Sequence, residues 1–328
     1  MSTATYRLQL WSDELEAMRA EAHAAIAAGS QWFNERPAPG ATPAEHVAAQ
    51  REATARTTFT VPEAEERDFG GVPCRVLRPD GDARAVYLHF HGGGMVAGSA
   101  SMMDIPNQIL SKEHGVAVVS VDYRKAPEFP WPAGPGDGVA VARALLEKGE
   151  PEFGSDRLLI GGESAGGYMT AAVALRVRDE LDAIDRVDGL VLTFGVYDWG
   201  RTPSQRGMRP TDAFDVLAVD TIGLVTECYL PGRTDEERRA PEISPLYADL
   251  RGLPACFISV GTADHLLDDS LLFATRAAAA GVPVDLMVLP DMPHAFQAFD
   301  CGITRAWGEA LNSWFASRLG GPAGSVAE

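Results

Sequence analysis

The sequence predicts an α/β fold, a mostly parallel sheet with helices on both faces. Two observations carry this. From about Thr58, short apolar, β-branched runs alternate with longer stretches of helical composition, the order that builds parallel strands joined by crossover helices. Several of those runs are unbroken rather than alternating, as in strands buried on both sides. A chain of 328 residues suits one large α/β domain with additions, or two domains, and buries roughly 75% of its unfolded surface.

Residues 1–57 read as a helical segment rich in Ala and Glu. Ser12 can cap a helix whose first turn holds Asp13, Glu14 and Glu16, favourable at the positive end of the dipole. Gly29 is the expected stop. Thr42-Pro43-Ala44-Glu45 is a capping box with proline at the first helical position, and starts a second helix. Asn34 to Ala41 links the two.

The core is expected over 58–198 and 251–320. Cys74–Arg78 and Arg84–Phe90 read as strands, with turns at Gly70-Gly71 and Asp80-Gly81. Val116–Val121, Leu158–Gly161, Leu190–Phe194, Cys256–Val260 and Val284–Leu289 continue the series. Ala165–Arg178, Leu271–Ala280 and Ala306–Leu319 read as helices. Residues 199–250 break the rhythm with polar, Pro- and Arg-rich sequence. A structureless loop of that length is unusual in a compact domain, so a helical insertion is expected, with one helix over Asp215–Tyr229. Residues 321–328 read as a flexible tail.

Composition narrows the function. Hydrophobic residues make up 46% and charged residues 23%, the balance of an ordinary globular protein. The 28 basic against 46 acidic residues give a net charge of −18, which argues against nucleic acid and anionic membranes as partners. Cys74, Cys228, Cys256 and Cys301 are scattered, with no CxxC pair, so neither a zinc site nor a disulfide framework is expected. The N-terminus lacks the basic start and apolar run of a signal peptide, and no stretch approaches the roughly 20 apolar residues of a membrane span. The expected compartment is the cytoplasm, and homo-oligomerisation is left open.

Gly162-Glu163-Ser164-Ala165-Gly166 joins a strand to a helix. In that setting the pattern is a nucleophile elbow, as in the α/β-hydrolase fold, with the Ala165 N–H at a helix N-terminus able to bind an oxyanion. Alone, such a five-residue run is a common accident. His91-Gly92-Gly93-Gly94 follows a strand about 70 residues earlier. Three bare glycines make a flexible turn, but they also let backbone N–H groups face a reacting carbonyl. A serine needs a base and an orienting acid, here in the order Ser, acid, His. His265 and His294 are the two histidines after Ser164. His294, just past the last expected strand, and Asp264, just past Cys256–Val260, both fall at strand C-termini, where open α/β sheets bind ligands. His265 is the rival base, although Asp264 beside it is too close in sequence to orient it well. Asp268 and Asp269 are rival acids more simply read as compensating a helix dipole. Asp291 is a weaker rival.

These residues resemble the bacterial hormone-sensitive-lipase-like esterases, or family IV, over about Val72–Phe315. The resemblance rests on His91–Gly94, Tyr123–Glu128, Gly162–Gly167, Ser244–Leu246, Asp264–Asp268 and His294–Phe296. It implies an eight-stranded α/β-hydrolase fold with a helical cap made of 1–57 and 199–250. It implies Ser164, Asp264 and His294 as the triad, Gly93, Gly94 and Ala165 as oxyanion donors, and His91 and Gly92 as support for their loop. Met95 stands for a usual aromatic residue, Lys125 for Leu, Glu163 for Asp and His265 for Pro, and Arg124 and Glu128 are expected to pair.

The expected function is a serine carboxylesterase acting on small to medium acyl esters without metal or cofactor. An amidase or lactonase would use the same triad, and a non-catalytic small-molecule receptor is a further alternative on the same scaffold. Trp32, Phe33, Met95, Trp199, Met208 and Phe214 are candidate substrate contacts, although such side chains serve as readily to pack a cap on its core.

Overall fold

The computed structural model describes residues 10–29, 42–207 and 217–321. Trp32, Phe33, Met208 and Phe214, the link 34–41 and nearly all of the tail lie outside them. Eight strands form one sheet: β1 Glu65–Phe69, β2 Val72–Leu77, β3 Val86–Phe90, β4 Ala117–Val121, β5 Leu158–Glu163, β6 Val187–Thr193, β7 Cys256–Gly261 and β8 Val284–Leu289. Their order is β1-β2-β4-β3-β5-β6-β7-β8. β2 pairs antiparallel with β1 and β4, and every other pairing is parallel. This is the expected mostly parallel sheet.

The helices are α1 Asp13–Ala17, α2 Arg19–Gly29, α3 Pro43–Thr57, α4 Asp104–His114, α5 Ala133–Phe153, α6 Ala165–Leu181, α7 Val219–Tyr229, α8 Asp235–Arg238, α9 Leu267–Ala279 and α10 Gly302–Arg318. Strand side chains alternate between two faces. Val86, Leu88 and Phe90 enter the cluster that also holds Val139, Val141, Tyr168 and Val173 of α5 and α6. Tyr87 enters the opposite cluster with Trp314 and Phe315 of α10. Both faces are therefore covered, and the central strands are buried throughout. Each such Val, Leu or Phe contributes about 1.5–3 kcal/mol.

Several local expectations need adjustment. The first helix is divided: Met18 N–H bonds to Leu15 O at 3.2 Å, a tighter turn that ends α1 before α2 begins. The box at Thr42 forms as expected, with Thr42 Oγ1 accepting from Glu45 N–H at 3.3 Å and Glu45 Oε2 accepting from Thr42 N–H at 2.8 Å. The helix expected from Asp215 starts at Val219, behind an N-cap at Ala218. All four cysteines are free, and burial pushes the Cys74 and Cys256 thiols up to about 12. No helix among the described residues is long and apolar enough to cross a membrane.

Candidate active site

The parallel order brings four strand ends together at one edge: β3 and β5 side by side, then β7 and β8. At the end of β5, Ser164 turns the chain into α6 with φ 58° and ψ −118°, a conformation that costs a non-glycine residue about 1–3 kcal/mol. The flanking glycines are obligatory. A Cβ on Gly162 would lie 2.2 Å from Phe90 O, and one on Gly166 would lie 1.9 Å from it. Ser164 N–H donates to Thr193 O at 2.9 Å, fixing the elbow to β6.

His294 lies in the loop after β8. Its Nδ1–H donates to Asp264 Oδ2 at 2.8 Å, and its Nε2 is 2.9 Å from Ser164 Oγ. The carboxylate can only accept from Nδ1, which leaves Nε2 to accept the serine proton. Asp264 is fully buried, and its Oδ1 accepts the Leu266 N–H at 2.9 Å. Phe194 lies edge-on to the His294 ring, with centroids 4.7 Å apart.

The glycine loop sits beside the serine: a Cβ on Gly92 would lie 3.1 Å from Glu163 O and 3.5 Å from Ser164 Cβ. Gly93 has φ 117° and Gly94 φ 63°, and a Cβ on Gly93 would strike Ala97 O at 2.3 Å. Among the described residues, the N–H groups of Gly93, Gly94 and Ala165 donate to no acceptor, so they remain available to an oxyanion. His91 holds this loop from below. Its Nδ1–H donates to Gly92 O at 2.6 Å, its ring stacks on Tyr123 at 4.3 Å, and Tyr123 OH donates to His91 O at 2.8 Å. Burial, aided by the Lys125 charge, pushes the His91 pKa down to about 3. The ring is therefore neutral.

The rivals are occupied elsewhere. His265 Nδ1–H donates to Ser204 O at 2.9 Å. Asp268 accepts the Ser204 N–H at 2.9 Å. Asp269 lies in the first turn of α9, as the sequence suggests, but does more there. It is fully buried and does not simply face the helix dipole. It accepts Tyr197 N–H at 2.7 Å, Asp198 N–H at 2.9 Å, and Thr202 O–H and Gln205 N–H at 2.8 Å each. Burial nevertheless pushes its carboxyl up to about 7. Asp291 faces Arg19 and His23 of α2.

Three further expectations are corrected. Arg124 and Glu128 do not pair, because each meets a partner from another element. Arg124 Nη2 donates to Asp137 Oδ1 and Arg51 Nη2 to Glu128 Oε2, both at 2.7 Å. Met95 is fully buried in the main core rather than at a pocket wall, against the space left by Gly134. Trp199 is 3% exposed and packs on Tyr168 and Tyr229 at 5.3 and 4.9 Å, so it offers no surface to a ligand. Two neighbours of the site escaped the sequence reading. Phe194 carries no signal beyond ending an apolar run. Val225 of α7 lies over the oxyanion loop, its methyl 3.0 Å from where a Gly94 Cβ would stand; only the apolar spacing of its helix marks it.

Residues 87–298 match the model of an α/β-hydrolase-fold family. The chain is 34% identical over 253 residues to the carboxylesterase NlhH of Mycobacterium tuberculosis, covering 72% of this chain and 76% of the relative. It is 29% identical over 230 residues to an acetyl esterase of Salmonella paratyphi A, with 70% of each covered. Among solved structures, it is similar to a hormone-sensitive lipase from a metagenome library, with TM-score 0.73, 34% identity and coverage of 94% of this chain and 97% of that one. A hormone-sensitive-lipase homologue, EstE7, also from a metagenome library, gives TM-score 0.73, 33% identity and coverage of 92% and 98%.

Proposed function

The chain belongs to the α/β-hydrolase family, among its hormone-sensitive-lipase-like esterases, and from that premise we propose that it is a serine carboxylesterase with Ser164, His294 and Asp264 as its triad. The observation that carries the assignment is the unbroken hydrogen-bond line from Asp264 through His294 to Ser164. Ser164 Oγ attacks an ester carbonyl carbon while its proton passes to His294 Nε2. Asp264 steadies the imidazolium. The N–H groups of Gly93, Gly94 and Ala165 receive the oxyanion, each worth on the order of 3 kcal/mol in the transition state. Collapse breaks the ester C–O bond, and His294 returns the proton to the leaving alcohol. Water, activated by the same base, then frees the acid and restores Ser164.

Small to medium acyl groups fit this reading. Val225 lies beside Gly94 of the oxyanion loop, and acetyl esterases are among the relatives. Residues 1–57 and 199–250 would form a cap, with α7 over the glycine loop. A complete triad speaks against a receptor that has lost its chemistry.

Ser164→Ala tests the assignment. Turnover of p-nitrophenyl acetate should vanish with the fold intact by circular dichroism, and an organophosphonate should label Ser164 in the unsubstituted protein. Turnover at an unchanged rate in the variant would sink it. A panel of acyl lengths, with an anilide and a lactone beside it, identifies the bond and the chain length.

A further inference from the structure

The loop of His294 is gripped from the N-terminal helices in a way the reaction above does not use. Arg19 opens α2 and forks two ways. Its Nη1 donates to Glu16 Oε1 at 2.7 Å, while Nε and Nη2 donate to Asp291 Oδ2 at 2.8 and 2.5 Å. One turn on, His23 Nε2 donates to the same oxygen at 2.8 Å. Asp291 N–H donates to Thr262 Oγ1 at 2.7 Å, two residues before Asp264.

The backbone here needs such support. Asp291 and Ala295 both have φ 57°, so two non-glycine residues in the left-handed region bracket His294. Conformations of this kind persist only where their surroundings impose them. The apolar side of α2 supplies a second hold. Ala22 and Ile26 are fully buried in one cluster with Met292, Phe296 and Phe194. Met292 and Phe296 stand two residues to either side of His294, and Phe194 is the ring edge-on to it.

We propose that Arg19, with His23 and Asp291, positions His294 within reach of Ser164, so that α2 sets the activity of the triad itself. This rests on the triad assignment above. Arg19 acts through the loop and is a positioning residue. The Asp291 side chain is only 9% exposed, and without Arg19 it is a buried carboxylate short of donors. The loop then moves to rehydrate it, and a small displacement of a base costs rate out of proportion to its size.

The experiment compares the unsubstituted protein with Arg19→Gln, Arg19→Lys, Asp291→Asn and the Arg19→Gln/Asp291→Asn double variant. It measures kcat and KM on p-nitrophenyl acetate and the rate at which diethyl p-nitrophenyl phosphate labels Ser164. Arg19→Gln should lower kcat about tenfold and slow labelling by a similar factor, with KM within about twofold. Asp291→Asn should also lower kcat, and Arg19→Lys should recover most of the rate. The double variant should be no slower than Arg19→Gln, because no charge is left stranded. The proposal falls if Arg19→Gln keeps kcat and labelling within about twofold, if only KM moves, or if the two substitutions add. Should Arg19→Gln fail to fold, Arg19→Lys and Asp291→Asn carry the same comparison. Failure of the unsubstituted protein to label at Ser164 would instead overturn the triad, a result distinct from any failure of the clamp.

Discussion

Acid should weaken this protein through His91, by an amount that follows from the burial of its ring. His91 is fully buried on Tyr123, and its pKa is held down at about 3, first by burial and then by the Lys125 charge. In the unfolded chain an imidazole titrates near 6.5. Below that pH the unfolded state gains a proton that the folded state refuses, so stability rises with pH across the window and is lost as pH falls from about 6.5 towards 3. Each unit corresponds to about 1.4 kcal/mol, so roughly 2–3 kcal/mol disappears by about pH 4.5. His91→Asn removes the titration and can keep a donor for Gly92 O, while the lost ring stack lowers stability equally at every pH. Urea unfolding of both proteins at about pH 7.5 and about pH 4.5 isolates the effect, since the carboxylates are common to both. The stability gap between them should narrow by roughly 2–3 kcal/mol at the lower pH. Parallel profiles would show that His91 is charged in the folded protein, or that water reaches it.

Two other substitutions probe the supports. Gly166→Ala places a Cβ 1.9 Å from Phe90 O, so β3 must shift where it enters the glycine loop; a loss of about 1–3 kcal/mol in urea unfolding and a fall in kcat/KM are expected, and a variant matching the parent in both would contradict the packing argument. Asp269 has the opposite linkage to His91. Its folded pKa, about 7, lies above the unfolded carboxylate value, so its contribution is full at acid pH and is lost as pH rises towards 7. The stability advantage over Asp269→Asn should therefore shrink from about pH 4 to about pH 7, and a widening gap would mean that its four donors outweigh burial.

The sheet was legible because its physics is written locally. Val116–Val121 and Leu158–Gly161 are unbroken apolar runs, and a strand buried on both faces needs such a run. The elbow was legible for a similar reason, since sterics at Phe90 O leave only glycine at 162 and 166. Polar edge strand β1, with sequence Glu-Glu-Arg-Asp-Phe, carries no such pattern. Helix α5 is harder still: it begins Ala-Gly-Pro-Gly-Asp-Gly and contains Pro151, so propensity speaks against it. Its glycines answer to distant partners: a Cβ on Gly138 would lie 2.6 Å from Val173 of α6, and one on Gly134 would lie 2.7 Å from Met95. The same limit explains Arg124 and Glu128, four residues apart and drawn to Asp137 and Arg51 by tertiary contacts that no local spacing encodes.

The residues that depart from the family pattern show where this chain varies. Glu163 reaches across the elbow to accept His89 Nε2–H at 3.1 Å, and His89 Nδ1 is 2.8 Å from Ser120 Oγ on the next strand. Lys125 pairs with Asp122 at 2.8 Å and adds to the field that keeps His91 neutral. His265 ties the Asp264 turn to Ser204 in the insertion. Met95 fills the space beside Gly134. Three of these substitutions lie one layer behind a group of the proposed site: Glu163 behind Ser164, Lys125 behind the glycine loop, His265 behind Asp264. Asp291 does the same for His294. Reacting atoms of this chemistry tolerate little change, since their distances set the rate. The layer behind them can change, provided each new side chain finds a partner that holds its loop in place. Differences in rate between this chain and its relatives should therefore trace to the rigidity of four loops, and removal of the clamp at Arg19 tests one of them while leaving every reacting group intact.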